Sequence, residues 1–120
     1  MRLPWTKRSL GAAASLAAAL LLAPAPQAVA QTAEARGKEV FDYWCAACHA
    51  PGPRHPGSQA LDVLYGDTKP GALEARTDLL PEITRAFVRS GVSVMPPFRK
   101  TEISDADLDA LATYLAPRTR

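Results

Sequence analysis

The stretch CAACH, residues 45–49, holds both cysteines of the chain and one of its two histidines. Two thiols three positions apart can each add across one vinyl group of a haem, and the imidazole that follows is then held beneath the iron. This run is typical of c-type haem attachment. It predicts one covalently bound haem c on Cys45 and Cys48, with His49 as an axial ligand of the iron.

Two other kinds of site use the same residues. A redox-active dithiol has two cysteines at this spacing, but it needs no histidine directly after them and is expected within a βαβ unit. A zinc site would need His55 as its fourth ligand, at a cramped spacing. The motif alone leaves both alternatives open.

The first 30 residues have the three parts of an export signal. A basic start over residues 2–8 is followed by an apolar stretch over residues 10–23 and by the small-residue cleavage site AVA at residues 28–30. We expect cleavage after this site and a periplasmic product, residues 31–120, that forms one domain. A retained anchor is disfavoured because the apolar stretch is shorter than the roughly 20 residues of a spanning helix.

Removal of the export signal changes the charge balance of the chain. The whole chain has 14 Lys+Arg against 12 Asp+Glu, and three of the basic residues lie in the signal, which leaves 11 against 12. A product without net positive charge is not expected to bind nucleic acid or a membrane surface. Its small size predicts a thin core and an apoprotein that folds poorly without haem.

A first helix is predicted over residues 33–44, because Gly37, Val40, Phe41 and Trp44 recur with helical spacing. The CAACH motif then lies at the C-terminal end of this helix. A glycine inside a helix is unfavourable by about 1 kcal/mol relative to alanine, so Gly37 indicates the close approach of a second helix.

Proline and glycine recur over residues 51–71 too often for a long regular element, so this region is predicted to be a loop with at most a short helix over residues 60–65. The last helix is predicted to begin after Ser104, which forms a capping pair with Asp107, and to end at Pro117. No segment alternates as a half-buried strand does, and the domain is therefore expected to be all-α.

Another helix is predicted over residues 81–90, with proline at its first position and Gly91 as its stop. Asp78 is a candidate cap. The apolar face of this helix is expected to consist of Ile83, Ala86 and Phe87.

Met95 is the only methionine after residue 1, and it is followed by Pro96 and Pro97, which stiffen the loop. A thioether held at a fixed place is a suitable sixth ligand for the iron, and His/Met ligation raises the reduction potential of a haem. His55 competes for this role but follows His49 too closely to reach the far haem face, so we expect it at the surface. With both axial positions of the iron filled, we expect the function to be electron transfer. If Met95 dissociates, the alternative is a gas sensor or a weak peroxidase.

At these residues the chain resembles class I c-type cytochromes, the small monohaem electron carriers of bacterial periplasm and mitochondria. The resemblance is carried by GKEVF at residues 37–41, CAACH at 45–49, MPPF at 95–98 and LATYL at 111–115. It implies a small all-α cytochrome c fold wrapped around one haem. In that fold the first and last helices cross, with Gly37 and Phe41 on one meeting Leu111 and Tyr114 on the other.

The resemblance also implies that a proline carbonyl accepts a hydrogen bond from the His49 imidazole, and the candidates are Pro51, Pro53 and, preferred among them, Pro56. Residues 83–98 are similar to the cytochrome subunits of flavin-dependent phenol oxidoreductases, such as p-cresol methylhydroxylase and eugenol hydroxylase, which implies a flavoprotein dehydrogenase as partner. Four cationic residues are candidates for neutralising haem propionates or for a docking rim, with solvated surface charge as the alternative: Arg54, Arg76, Arg99 and Lys100.

Overall fold

The computed structural model describes residues 31–117. The predicted export signal at residues 1–30 lies outside the described residues. The α-helices and the one π-helical turn of these residues are α1 (Ala33–Val40), the π-helical turn (Phe41–Cys45), α2 (Ala46–His49), α3 (Pro56–Tyr65), α4 (Pro81–Ser90) and α5 (Asp105–Leu115), and two short 3₁₀ helices follow α3 at Gly66–Thr68 and Leu73–Ala75. Within residues 31–117 the only β pairing is the single bridge between Val92 and Met95. The prediction of an all-α domain is confirmed, and no helix of this region is long and apolar enough to cross a membrane.

The first helical segment runs further than predicted. Thr32 caps it, since its hydroxyl accepts a hydrogen bond from the Ala35 amide at 3.2 Å. The chain then passes through the π-helical turn, in which the Ala46 amide donates to the Phe41 carbonyl five residues back. It continues as α2 to His49. The CAACH motif is therefore held within helical backbone and spans the junction between the π-helical turn and α2.

The close approach predicted at Gly37 is present. A Cβ at this position would lie 2.1 Å from the Ala110 carbonyl oxygen and 2.6 Å from the Tyr114 Cβ, so only glycine fits between α1 and α5. One turn later, the Phe41 and Tyr114 rings pack at 5.9 Å between centroids. Leu111 is fully buried in the same core. The helix contact implied by the resemblance is thus observed between α1 and α5.

Helix α3 is longer than the short segment predicted over residues 60–65, because it begins at Pro56. A proline is tolerated in the first turn of a helix, where its missing amide has no partner to lose. The first turn is also tied back to the chain before it. The Ser58 hydroxyl donates to the Ala50 carbonyl at 2.9 Å, and the Gln59 side-chain amide donates to the Pro53 carbonyl at 2.7 Å.

Helix α4 has the predicted bounds, but its cap and its buried face differ from the prediction. Leu80 occupies the cap position, and Asp78 instead forms ion pairs in the preceding loop. Thr84 and Val88 face the core, whereas Ile83 and Phe87 are 41% and 47% exposed. The apolar stripe read from the sequence therefore lies away from the core of the described residues.

Helix α5 begins as predicted, with the Ser104 hydroxyl accepting from the Asp107 amide at 3.1 Å. The Asp107 carboxylate binds Arg36 of α1 at 2.7 Å, which adds an ion pair to the contact between the two helices. The buried apolar cluster joins α1, α4 and α5 and consists of Val40, Phe41, Cys45, Leu79, Val88, Ile103, Leu108, Leu111, Tyr114 and Leu115.

Candidate haem site

The two thiols of the motif have different surroundings. Both cysteines are free, with Cys45 buried and Cys48 exposed. Burial, and to a smaller extent the neighbouring Cys48, raise the pKa of Cys45 to about 12. Redox-active dithiols depend on a thiol that ionises easily. The buried Cys45 thiol lacks that property, so it is unsuited to be the reactive thiol of a redox dithiol.

His49 ends α2 and is half-buried. Burial lowers the pKa of its imidazole, which favours the neutral ring that binds metals. Its Nδ1 atom is buried and has no hydrogen-bond partner among residues 31–117. The predicted bond to a carbonyl of Pro51, Pro53 or Pro56 is therefore absent in this region, and the Pro53 carbonyl is taken by Gln59.

The His49 ring is instead in close contact with the first turn of α3. A Cβ at Gly57 would lie 2.7 Å from the His49 Cε1, 2.8 Å from the Cys48 carbonyl oxygen and 2.9 Å from the His49 Nδ1. The absence of a side chain at Gly57 thus allows the α3 backbone to rest against the imidazole. This contact orients the ring by packing.

His55 lies at the surface beside the motif. It is half-buried, and its Nδ1 is 3.2 Å from the Ala47 carbonyl oxygen. In the part of the chain that the structure describes, no three His, Cys, Asp or Glu side chains form a group that could hold a metal ion. The zinc interpretation, which needs His55 together with the motif, has no support in this arrangement.

Met95 closes a tight turn. The Val92 amide donates to the Met95 carbonyl at 3.0 Å, and the Met95 amide donates to the Val92 carbonyl at 2.9 Å. Ser93 has a positive φ of 54°, which is uncommon for a residue with a side chain. At the start of the turn, a Cβ at Gly91 would lie 2.7 Å from the Met95 carbonyl oxygen. Met95 itself is half-buried and packs against the apolar core.

The segment after Met95 connects it to the haem-attachment motif. The Phe98 amide donates to the Val88 carbonyl at 2.8 Å, and the Arg89 guanidinium donates to the Phe98 carbonyl at 3.0 Å. The Phe98 ring meets Trp44 edge-on, with 5.8 Å between centroids. Because Trp44 directly precedes Cys45, residues 92–98, hereafter the Met95 loop, are braced against the motif.

The donor set fits a covalently bound haem. Two free thiols lie one helical turn apart, a half-buried imidazole follows them, and a thioether is held in a separate braced loop. Apolar side chains of α4 and of the Met95 loop are accessible, including Phe87 at 47% and Val92 at 48% exposure. Such side chains provide an apolar surface suited to a porphyrin ring.

Comparison with known proteins agrees with this chemistry. Residues 32–115 match the family model described as cytochrome c oxidase, cbb3-type, subunit III. The chain is also 30% identical over 86 residues to cytochrome c6 of Cyanidioschyzon merolae (strain NIES-3377 / 10D), an alignment that covers 72% of this chain and 75% of the relative. The chain belongs to the cytochrome c family. It is accordingly a monohaem electron-transfer protein with one covalently bound haem c.

In this cytochrome, two of the four candidate cations are bound to carboxylates. The Arg76 side chain is only 7% exposed and pairs with Asp78 at 2.8 Å, and its guanidinium stacks 4.8 Å from the centre of the Tyr65 ring. Lys100 pairs with Asp105 at 2.6 Å. Arg76 therefore fastens the loop after α3.

Arg54, Arg99 and Lys100 are exposed, so these three of the four cations remain candidates for a docking rim.

Three residues of the cytochrome site carry roles that the sequence did not reveal. Gly57 and Gly91 allow close backbone contacts at His49 and at Met95, whereas the sequence offered them only as a loop glycine and a helix stop. Arg89 binds the Met95 loop from α4. The sequence around these three residues has no pattern that indicates a distant partner, so the contacts are identified only from the folded structure.

Proposed function

We propose that this cytochrome is a periplasmic electron carrier in which Cys45 and Cys48 hold the haem by thioether bonds and His49 and Met95 bind its iron. The observation that carries the proposal is the Phe98–Trp44 contact, because it fixes the Met95 loop beside the residue that precedes Cys45. The two segments that hold the predicted ligands are thereby parts of one packed unit.

The haem, once bound, supplies an iron centre that exchanges single electrons. The protein's own residues set the conditions for that exchange. His49 presents a neutral imidazole whose orientation is limited by the α3 backbone at Gly57. Met95 supplies a thioether, which raises the reduction potential. If His49 and Met95 both bind the iron, a substrate has no place on it, which favours electron transfer over catalysis.

The ligand assignment is tested by Met95→Ala in the full chain matured with covalent haem. We expect a large fall in reduction potential, loss of the weak long-wavelength absorption of an iron–thioether bond, and gain of binding by exogenous ligands. Val94→Ala is the matched control, because Val94 neighbours Met95 but is 94% exposed. An unchanged potential in Met95→Ala would show that another group is the ligand, and a high-spin spectrum of the parent protein would favour the gas-sensor or peroxidase alternative.

Export and partner are proposed on separate grounds. The N-terminal signal predicts a product that begins near Gln31, and the intact mass of the protein after export to a bacterial periplasm tests the cleavage site.

We propose a flavoprotein dehydrogenase as electron donor, because residues 83–98 are similar to the cytochrome subunits of such enzymes. Rapid reduction of the ferric protein by a purified flavoprotein isolated with it from the native cell would support this donor. Reduction only by a respiratory enzyme would instead support an oxidase as partner, because the matched family is described as a subunit of cytochrome c oxidase.

A further inference from the structure

We propose that Arg89 is a positioning residue that holds the Met95 loop against α4 and thereby keeps Met95 on the iron. This role rests on the proposed His49/Met95 ligation. Arg89 lies in the last turn of α4, immediately before the stretch that leads into the Met95 loop. Its side chain is 24% exposed, so its hydrogen bonds are partly shielded from water and are stronger for that reason.

The guanidinium of Arg89 connects three segments of the chain. Its Nη1 donates to the Phe98 carbonyl at 3.0 Å, and its Nη2 donates to the Ile103 carbonyl at 2.9 Å and to the Asp105 carboxylate at 2.9 Å. The first acceptor ends the Met95 loop, and the other two flank the start of α5. One side chain therefore fastens the loop to both α4 and α5.

The composition of the loop explains why this fastening is needed. Pro96 and Pro97 have no amide hydrogen, so the chain directly after Met95 cannot be held by donating backbone bonds. Phe98 has the first available amide, and it donates to the Val88 carbonyl at 2.8 Å. With the Phe98 carbonyl bound by Arg89, both backbone polar groups of this residue are anchored to consecutive residues of α4.

An arginine suits this place better than a lysine. The guanidinium carries five donors in a planar fork and can bind several carbonyl oxygens at once, whereas an ammonium group acts as a compact point charge on a flexible stem. Arg89→Lys is therefore expected to keep the attraction to Asp105 while losing at least one carbonyl bond. Arg89→Gln removes the charge and most of the donors.

Arg85 provides a matched control on the same helix. It lies one turn before Arg89, and its Nε donates to Asp109 of α5 at 2.6 Å. Within the described residues it makes no bond to the Met95 loop. Arg85→Gln thus removes an ion pair between α4 and α5 but leaves the fastening of the loop unchanged.

The test measures how readily an external ligand displaces Met95 from the iron. Imidazole is titrated into the ferric form of the full chain, matured with covalent haem, and binding is followed by absorption. We expect Arg89→Gln to raise the apparent imidazole affinity about tenfold, which corresponds to about 1.4 kcal/mol, because a loosened loop competes less well. Arg89→Lys should lie between the parent and Arg89→Gln, and Arg85→Gln should match the parent.

A double-mutant comparison distinguishes positioning from a general structural effect. In a Met95→Ala background, Arg89→Gln should leave the imidazole affinity unchanged, because no thioether remains to be positioned. Hydrogen exchange at the Phe98 amide should be faster in Arg89→Gln and unchanged in Arg85→Gln. Equal imidazole affinities of Arg89→Gln, Arg89→Lys and the parent would overturn the proposal. A parent that binds imidazole as tightly as Met95→Ala would instead overturn the His49/Met95 ligation itself.

Discussion

Gly57→Ala should displace the His49 imidazole, because the new methyl group has no room. Its nearest atom, His49 Cε1, would lie at 2.7 Å, about 0.7 Å closer than the 3.4 Å at which ordinary contact begins. The Cys48 carbonyl oxygen at 2.8 Å also restricts relief, since it belongs to the backbone. Either the ring turns or the start of α3 moves outward.

The stability effect combines two opposing terms. Overpacking of a tight contact costs roughly 1–3 kcal/mol, and the rigid neighbours place this site at the upper end. Alanine is favoured over glycine in a helix by about 1 kcal/mol. We therefore expect a net loss of about 2 kcal/mol in the free energy of unfolding, or about 10 °C in the melting temperature of a domain of this size.

The assay uses the ferric holoprotein. Thermal unfolding gives the change in stability, and the low-spin electron paramagnetic resonance spectrum reports the orientation of the axial imidazole. Gly66→Ala is the control: Gly66 has a positive φ of 54° but nothing within 4 Å of a new Cβ, so alanine there strains only the backbone. It should lower the melting temperature without altering the resonance spectrum. A Gly57→Ala protein with the parent's spectrum and stability would refute the packing role of Gly57.

Three further changes probe other parts of the fold. Gly37→Ala should lower the free energy of unfolding by about 3 kcal/mol, because its Cβ would lie 2.1 Å from the Ala110 carbonyl oxygen; an unchanged thermal midpoint would contradict the helix contact. The hydrogen bond from Arg76 holds the pKa of Asp78 in the folded protein well below its usual range. The stability that this ion pair contributes is therefore present above about pH 4, and it is lost as the pH falls towards the pKa of Asp78 in the folded protein. Asp78→Asn should thus be less stable than the parent at pH 7 and approach it in acid, and denaturant titrations showing a constant difference would argue against this ion pair. Ser93→Gly should relieve the positive φ of 54° and raise the free energy of unfolding by about 1 kcal/mol, whereas Ser93→Ala, which keeps the strain, should show no gain.

Local signals in the sequence predicted much of the helical framework. The last helix was recognisable from the Ser104 cap, and the Ser104 hydroxyl indeed accepts from the Asp107 amide. The α4 bounds followed from Pro81 and Gly91, and Gly37 marked the contact with α5. The helix bounds were predictable because capping residues, Pro81 and Gly91 act on neighbours within a few positions, whereas the Gly37 contact was predictable because a glycine inside a helix is unfavourable unless another segment lies close to it.

The contacts that fix the site were not predictable in the same way. The early start of α3 was missed because Pro56 and Gly57 are common in loops, and only the ties of Ser58 and Gln59 to the preceding chain show that they begin a helix here. The cap assigned to Asp78 was wrong because its charge is taken by cations of the same loop. The start of α3 and the ion pairs of Asp78 both depend on residues that come together only when the chain folds.

The π-helical turn over Phe41–Cys45 has a consequence for the phase of the helix that contains the motif. A π turn has the effect of one extra residue inserted into an α-helix. Each residue after it is rotated by about 100° relative to an uninterrupted helix, since an α-helix advances 3.6 residues per turn. The π-helical turn therefore sets the direction in which His49 points relative to Gly37. Deletion of one residue within this turn would restore a regular α-helix and point the haem-attachment residues in the wrong direction, even though every residue of CAACH was still present.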